Sequence, residues 1–257
     1  MSKTALITGA SGGIGKELAL IHASQGGDLV LVARSAEKLN DLKEIIISKY
    51  KVNVKVIVID VTEPNAPQLI VDTVKSNKIQ IDYLINNAGV GGFGEFHRRN
   101  QQDELKMLRL NIEALVVLTH LLLPEMIERR SGRILNVSSI AGFLPGPLMT
   151  TYYATKAFVN SFSFGLAQEV RKYGVTVTAL CPGPLKTNFD NAAGMSASSL
   201  FSKAPGPQVT ALKGYKAMKK GRLKVLTNLP LRIGVEWLVP LVPTSWTLKI
   251  MEKMHKR

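Results

Sequence analysis

The chain has 257 residues, 46% of them hydrophobic, and a formal net charge of +14, which is enough apolar material for one large core at a length where an α/β sheet commonly stays a single domain. Its one cysteine, Cys181, excludes an internal disulfide framework and fits a reducing compartment, while His22, His97, His120 and His255 lack the close spacing of a zinc or iron site. The charge is uneven: residues 203–257 carry twelve Lys and Arg against Glu236 and Glu252, so this segment alone holds +10.

In chain order, TALIT (4–8) is shorter than the apolar region of a signal peptide and runs into a glycine turn, so it is read as a first strand. No stretch reaches about 18 uninterrupted apolar residues, so no membrane-spanning helix is expected. The turn TGASGGIG places Gly9, Gly13 and Gly15 between that strand and a helix, where main chain can approach a phosphate and helix N–H groups face the anion. The spacing is G-x3-G-x-G, and a glycine turn also serves any loop that needs positive φ. The second strand, DLVLVA (28–33), runs into Ala33 and Arg34, where an NAD site would place a carboxylate for the ribose. The Arg34 fork suits a 2′-phosphate, with no carboxylate expected beside it to repel the charge, and NADP(H) is favoured over NAD(H). Further β-branched or aliphatic runs follow at 52–60, 81–85, 132–138 and 175–181, and between the runs lie segments of helical spacing, such as Leu39, Leu42, Ile45 and Ile46, then Leu105, Leu108, Ile112 and Leu115. QVTALKGYKAMKK and GRLKVLT add a seventh helix and strand. This alternation predicts a Rossmann-type, doubly wound parallel sheet of about seven strands with helices on both faces.

TGASGGIG, NNAG (86–89), Ser139 in NVSSIAG, YYATK and CPGPLKT (181–187) stand in the order of the short-chain dehydrogenase/reductase family, which the chain resembles over residues 3–190. The resemblance implies a Tyr-x-x-x-Lys pair and so selects Tyr152 with Lys156, not Tyr153. Positions four apart share a helix face, whereas neighbours diverge by about 100°. A free phenol titrates near pH 10, and the Lys156 ammonium, helped by an oxidised nicotinamide, is expected to stabilise the Tyr152 phenolate, where a shift of about three units corresponds to roughly 4 kcal/mol. The resemblance further implies that Ser139 polarises the substrate carbonyl, with Ser138 the competing hydroxyl, and that Asn111 supports a proton-relay water. Asp60 and Val61 resemble the pair that touches adenine, although Asp60 equally suits a strand-end cap. Asn86, Asn87, Ala88 and Gly89 would shape the adenosine side of the cleft, Ser11 and Ile14 would add contacts from the glycine turn, and Pro182, Gly183 and Thr187 would meet the nicotinamide. No catalytic position is damaged.

The division expected is a catalytic domain over residues 1–228, with a substrate lid at about 188–210 punctuated by Met195, Leu200 and Phe201, and a hydrophobic, basic extension over 229–257. In that extension Trp237, Leu238, Leu241, Trp246 and Ile250 accompany several cations, while Pro240 and Pro243 prevent one long helix. Such a composition fits a membrane interface, or an arm packed on the domain or a second subunit. Aromatic-lined basic strands are absent, so nucleic acid is not an expected partner. By resemblance, homodimers or homotetramers would pair through helices near 100–129 and 151–173, using residues such as Leu115, Leu118, Phe158 and Phe162. The sequence thus points to a cytoplasmic NADP(H)-dependent oxidoreductase interconverting a hydrophobic carbonyl and its alcohol, peripheral to the inner face of a membrane. The alternative is a non-catalytic NADP(H)-sensing protein of the same fold.

Overall fold

The computed structural model describes residues 2–187, 189, 204–227, 234, 237 and 239–255. Most of the expected lid, including Met195, Leu200 and Phe201, lies outside the described residues, as does Leu238. Seven parallel strands form one sheet: β1 (Thr4–Thr8), β2 (Asp28–Ala33), β3 (Val54–Val58), β4 (Tyr83–Asn86), β5 (Gly132–Val137), β6 (Val175–Cys181) and β7 (Lys224–Leu226). Their order is β3-β2-β1-β4-β5-β6-β7. Every β1 residue is buried, because helices cover both sheet faces and leave no reason for apolar and polar positions to alternate. Its register runs Leu6 against Val30 on one side and against Leu84 on the other.

Helices α1 (Gly13–Ala23), α2 (Ala36–Tyr50), α3 (Ala66–Ser76), α4 (Gln101–Leu108), α5 (Ala114–Glu128), α6 (Thr150–Val170), α7 (Pro207–Lys219) and α8 (Thr244–His255) complete the described elements with several short turns. Adjacent β1 residues serve opposite faces. Ile7 packs with Leu18, Leu39 and Tyr215 from α1, α2 and α7, whereas Leu6 packs with Ile70, Leu118 and Val170 from α3, α5 and α6. Each such side chain contributes about 1.5–3 kcal/mol of burial, which fixes the sheet as a rigid platform. The expected helix near 100–129 is interrupted: Arg109–Glu113 is a π-helical turn between α4 and α5, a kind of bulge that often marks functional positions.

The strand order reverses between β1 and β4, and a doubly wound sheet opens a crevice at that point, beyond the carboxyl ends of its strands. The residues that leave β1, β4, β5 and β6 there are Gly9, Asn87, Ser138 and Pro182.

Candidate active site

All four of these residues line one cleft with about 460 Å³ of space. At its first end the turn after β1 is held by Asn87, whose Nδ2 donates to the carbonyls of Thr8 (2.9 Å) and Gly9 (3.1 Å), while the Thr8 hydroxyl accepts from the N–H groups of Asn87 and Ala88, both at 3.0 Å. Gly9 sits at φ +65°, and a side chain there would press on Asn87 and Ala88. At Gly15 a Cβ would collide with the Gly9 carbonyl oxygen, so this glycine serves close packing of α1 against the turn. The first turn of α1 has no side-chain cap and no acidic residue, and Gly12 faces open space. Its N–H groups are therefore available to an anion, as a dinucleotide pyrophosphate requires.

Gly9, Ser11, Gly13, Ile14, Arg34, Asn87, Ala88, Gly89, Pro182, Gly183 and Thr187 all line this cleft. Gly15, Asp60, Val61, Asn86 and Asn111 do not. Asn86 is buried below the sheet edge, donating to Thr119 and Asn136 at 3.0 Å each, and Val61 is buried in the apolar face with Leu6 and Leu118. The expectation that Arg34 has no neighbouring carboxylate is corrected, because β2 and β3 are adjacent in the sheet and Asp60 follows β3. Its Oδ2 lies 3.6 Å from Arg34 Nη1 and 3.5 Å from Lys106 Nζ. Partial burial works against the Asp60 carboxylate, but hydrogen bonds from the Thr62 N–H and hydroxyl, with the charges of Lys106 and Arg34, outweigh it and hold its carboxyl below the usual range. Lys38, in the first turn of α2 just after Arg34, is a second cation at this end that the sequence reading missed.

At the second end, helix α6 brings Tyr152 and Lys156 onto the cleft face, and the loop after β5 brings Ser139. Ser139 Oγ accepts from the Ala141 N–H at 3.1 Å and donates to the Pro182 carbonyl at 3.4 Å, which orients it beside Tyr152. The competing Ser138 donates its hydroxyl to the Lys156 carbonyl at 3.1 Å and so is engaged by the helix. Lys156 is buried, donates to the Val137 carbonyl at 2.9 Å and sits 5.8 Å from the centre of the Tyr152 ring. Burial draws the Lys156 ammonium down to about 8. Tyr152 is shifted as well. Burial pushes the Tyr152 phenol up to about 12, only partly opposed by Ser139. The phenol is thus protonated at neutral pH and is poised to donate.

Asn111 stands behind this wall. Its Oδ1 accepts from the Val90 N–H at 3.0 Å, and its Nδ2 donates to the Val90 carbonyl at 2.9 Å and to Thr155 Oγ1 at 3.0 Å. It therefore ties the strand that leaves β4 to α6, and a Cβ at Gly89 would lie 3.2 Å from Asn111 Oδ1 and 3.4 Å from Lys156 Nζ.

The opening doublet on α6 is resolved by a partner no local motif reveals. Tyr153 also reaches the cleft, but its hydroxyl lies 2.9 Å from His255 Nε2, and His255 Nδ1 lies 2.7 Å from the Pro147 carbonyl. A carbonyl only accepts, so Nδ1 donates to it, and in that tautomer of the neutral ring Nε2 accepts from the Tyr153 hydroxyl. Its proton is engaged outside the Ser139, Tyr152 and Lys156 group. Burial, with Tyr152 a lesser influence, raises the Tyr153 phenol as well.

A family model described as short chain dehydrogenase matches residues 3–196. The chain is 34% identical over 259 residues to a very-long-chain 3-oxoacyl-CoA reductase of Anas platyrhynchos, covering 98% of this chain and 80% of that relative. It is 38% identical over 272 residues to the Homo sapiens protein of the same description, covering 100% and 80%. Among solved structures, a short-chain dehydrogenase from Sphingobium yanoikuyae in complex with NADPH is similar at 30% identity and a TM-score of 0.86, covering 93% of each chain.

Proposed function

The chain belongs to the short-chain dehydrogenase family, and we propose that it reduces the keto group of a hydrophobic, lipid-like substrate of the 3-oxoacyl type with NADPH. The observation that carries this reading is the meeting of Ser139, Tyr152 and Lys156 in a cleft with a bare glycine turn at one end and Met149, Tyr153 and Phe189 at the other. The similarity to very-long-chain 3-oxoacyl-CoA reductases supports the substrate class.

The open first turn of α1 fits a pyrophosphate, and Arg34 with Lys38 supports a 2′-phosphate at the adenosine end. Those residues would hold a nicotinamide cofactor, whose chemistry would be to supply the hydride that reduces the carbonyl carbon. Tyr152, neutral and buried, gives its proton to the carbonyl oxygen, and Ser139, oriented by Ala141, donates its own hydroxyl to the same oxygen. Lys156 places a positive charge beside the phenol as its proton leaves. Asn111 acts one layer back, keeping Val90 and α6 in register.

Residues 1–228 are read as the catalytic unit and 229–257 as an extension that carries a peripheral membrane contact. On and before α8, Leu241, Trp246 and Ile250 are 81%, 65% and 56% exposed beside Lys249 and Lys253, a composition suited to an anionic bilayer surface. The span Gln101–Glu128 is long and apolar enough by length and composition to cross a membrane. We read its outer face instead, with the stacked pair Phe158 and Phe162 on α6, as a surface for pairing with a second copy. The reading is tested by mixing purified protein with NADPH and short and long-chain 3-oxoesters and following absorbance loss. Turnover that rises with chain length supports it, and no oxidation of NADPH with any ketone contradicts it.

A further inference from the structure

Helix α8 turns one face inward. Thr247, Met251 and His255, spaced four apart, are buried, and Met251 joins Met107, Met149, Tyr152 and Tyr153 in one apolar cluster. The His255 ring stands edge-on to Tyr153 at 5.5 Å, and Tyr153 stands edge-on to Tyr152 at 6.0 Å. The Pro147 carbonyl, His255 and the Tyr153 hydroxyl form a chain of hydrogen bonds, which runs in one direction when the ring carries its proton at Nδ1. The Tyr153 ring is also packed against Gly146, where no Cβ could be accommodated. The same histidine and tyrosine, with Met149 and Phe189, wall the cleft beyond Ser139 and Tyr152.

We propose that His255 is a positioning residue that fixes α8 as the wall of the substrate end and so sets which ketones are accepted. The inference rests on the ketone-reductase reading above. Its physical basis, among the described residues, is that α8 meets the catalytic layer through two hydrogen bonds to one ring and the buried side chains of Thr247 and Met251. Without the ring, the Tyr153 hydroxyl and the Pro147 carbonyl lose their partner, and the wall against which a long chain would pack loses its anchor. A short ketone ends before that wall and makes little use of it.

The test uses the full-length protein with His255→Ala, His255→Gln and Tyr153→Phe, NADPH, and a short and a long-chain 3-oxoester. In His255→Ala the ratio of kcat/KM for the long to the short ester falls about tenfold, the size of one lost hydrogen bond. The change lies in KM for the long ester, and Gln, which can accept from Tyr153, recovers part of it. A ratio that stays level or rises overturns the proposal. Nitrogen NMR of labelled histidine gives an independent reading: the wild-type His255 ring is protonated at Nδ1, and Tyr153→Phe shifts its Nε2 signal. An Nε2-protonated ring in the wild type overturns the hydrogen-bond chain. Wild type inert to every ketone overturns the reductase reading, and the specificity claim with it, and the NMR result separates that failure from loss of the anchor.

Discussion

Lys156 donates its ammonium to the Val137 carbonyl at 2.9 Å, fully inside the protein, at the junction of β5 and α6. A cation in that place is held against a desolvation cost, which is why burial lowers it to about 8 from 10.5. The unfolded chain binds this proton more readily, so the penalty is complete below pH 8 and is lifted as pH climbs to 10.5. Relative to Lys156→Met, the wild type without cofactor therefore gains stability on the order of 3 kcal/mol across that window. Denaturant unfolding of both proteins at pH 7 and pH 10 measures it, and parallel pH profiles would count against a buried ammonium.

His22 behaves as a second buried base. Its Nε2 lies 2.8 Å from the Lys3 carbonyl and its Nδ1 2.8 Å from the Tyr215 hydroxyl, linking α1, the start of β1 and α7. Burial lowers its pKa from 6.5 despite the opposing hydrogen bonds and the charges of Asp28 and Asp82. The neutral form is the one that fits, so its contribution is present above pH 6.5 and lost as pH falls toward the folded value. Between pH 7 and pH 5 the wild type should lose more stability than His22→Gln. Equal losses would remove His22 from the acid response.

Asn111→Ala removes three hydrogen bonds at once: the Val90 main chain loses both of its bonds to this side chain, and Thr155 keeps its donation to the Tyr152 carbonyl but loses the donor on its own oxygen. The expected cost is about 2 kcal/mol, or a melting temperature lower by roughly 4–8 °C, with reduced turnover because α6 carries Tyr152 and Lys156. A melting curve that does not move would show that the π-helical turn carries no such tie.

Arg34→Ala should raise KM for NADPH about tenfold and leave KM for NADH nearly level, since one charge-assisted contact is worth about 1.5–3 kcal/mol. Asp60 complicates the site by holding the same guanidinium at 3.6 Å. Asp60→Asn should therefore tighten NADPH. Equal effects of Arg34→Ala on both cofactors would take Arg34 out of the site.

The sheet was legible because a strand buried on both faces is a continuous aliphatic run. TALIT, DLVLVA and VTVTALC coincide with β1, β2 and β6 to the residue. The edge strand β3 is shorter than its run, because it pairs on one side only and pairing ends where β2 ends, at Ala33 against Val58. What was not legible is what the tertiary fold juxtaposes. Asp60 meets Arg34 only because β3 lies next to β2, and no local pattern states that order. His255 meets Tyr153 across 102 positions. The π-helical turn at Asn111 leaves the apolar spacing of its neighbours intact, so periodicity passes through it unmarked.

The most direct test of the central claim is kcat for a ketone that the wild type reduces, measured with Tyr152→Phe and Tyr153→Phe at saturating NADPH. The account predicts a loss of about a thousandfold for Tyr152→Phe, within the range for a general acid, with kcat for Tyr153→Phe within about tenfold of wild type, as a single lost hydrogen bond would give. Comparable losses in the two variants, or a Tyr152→Phe protein that turns over like wild type, would contradict it.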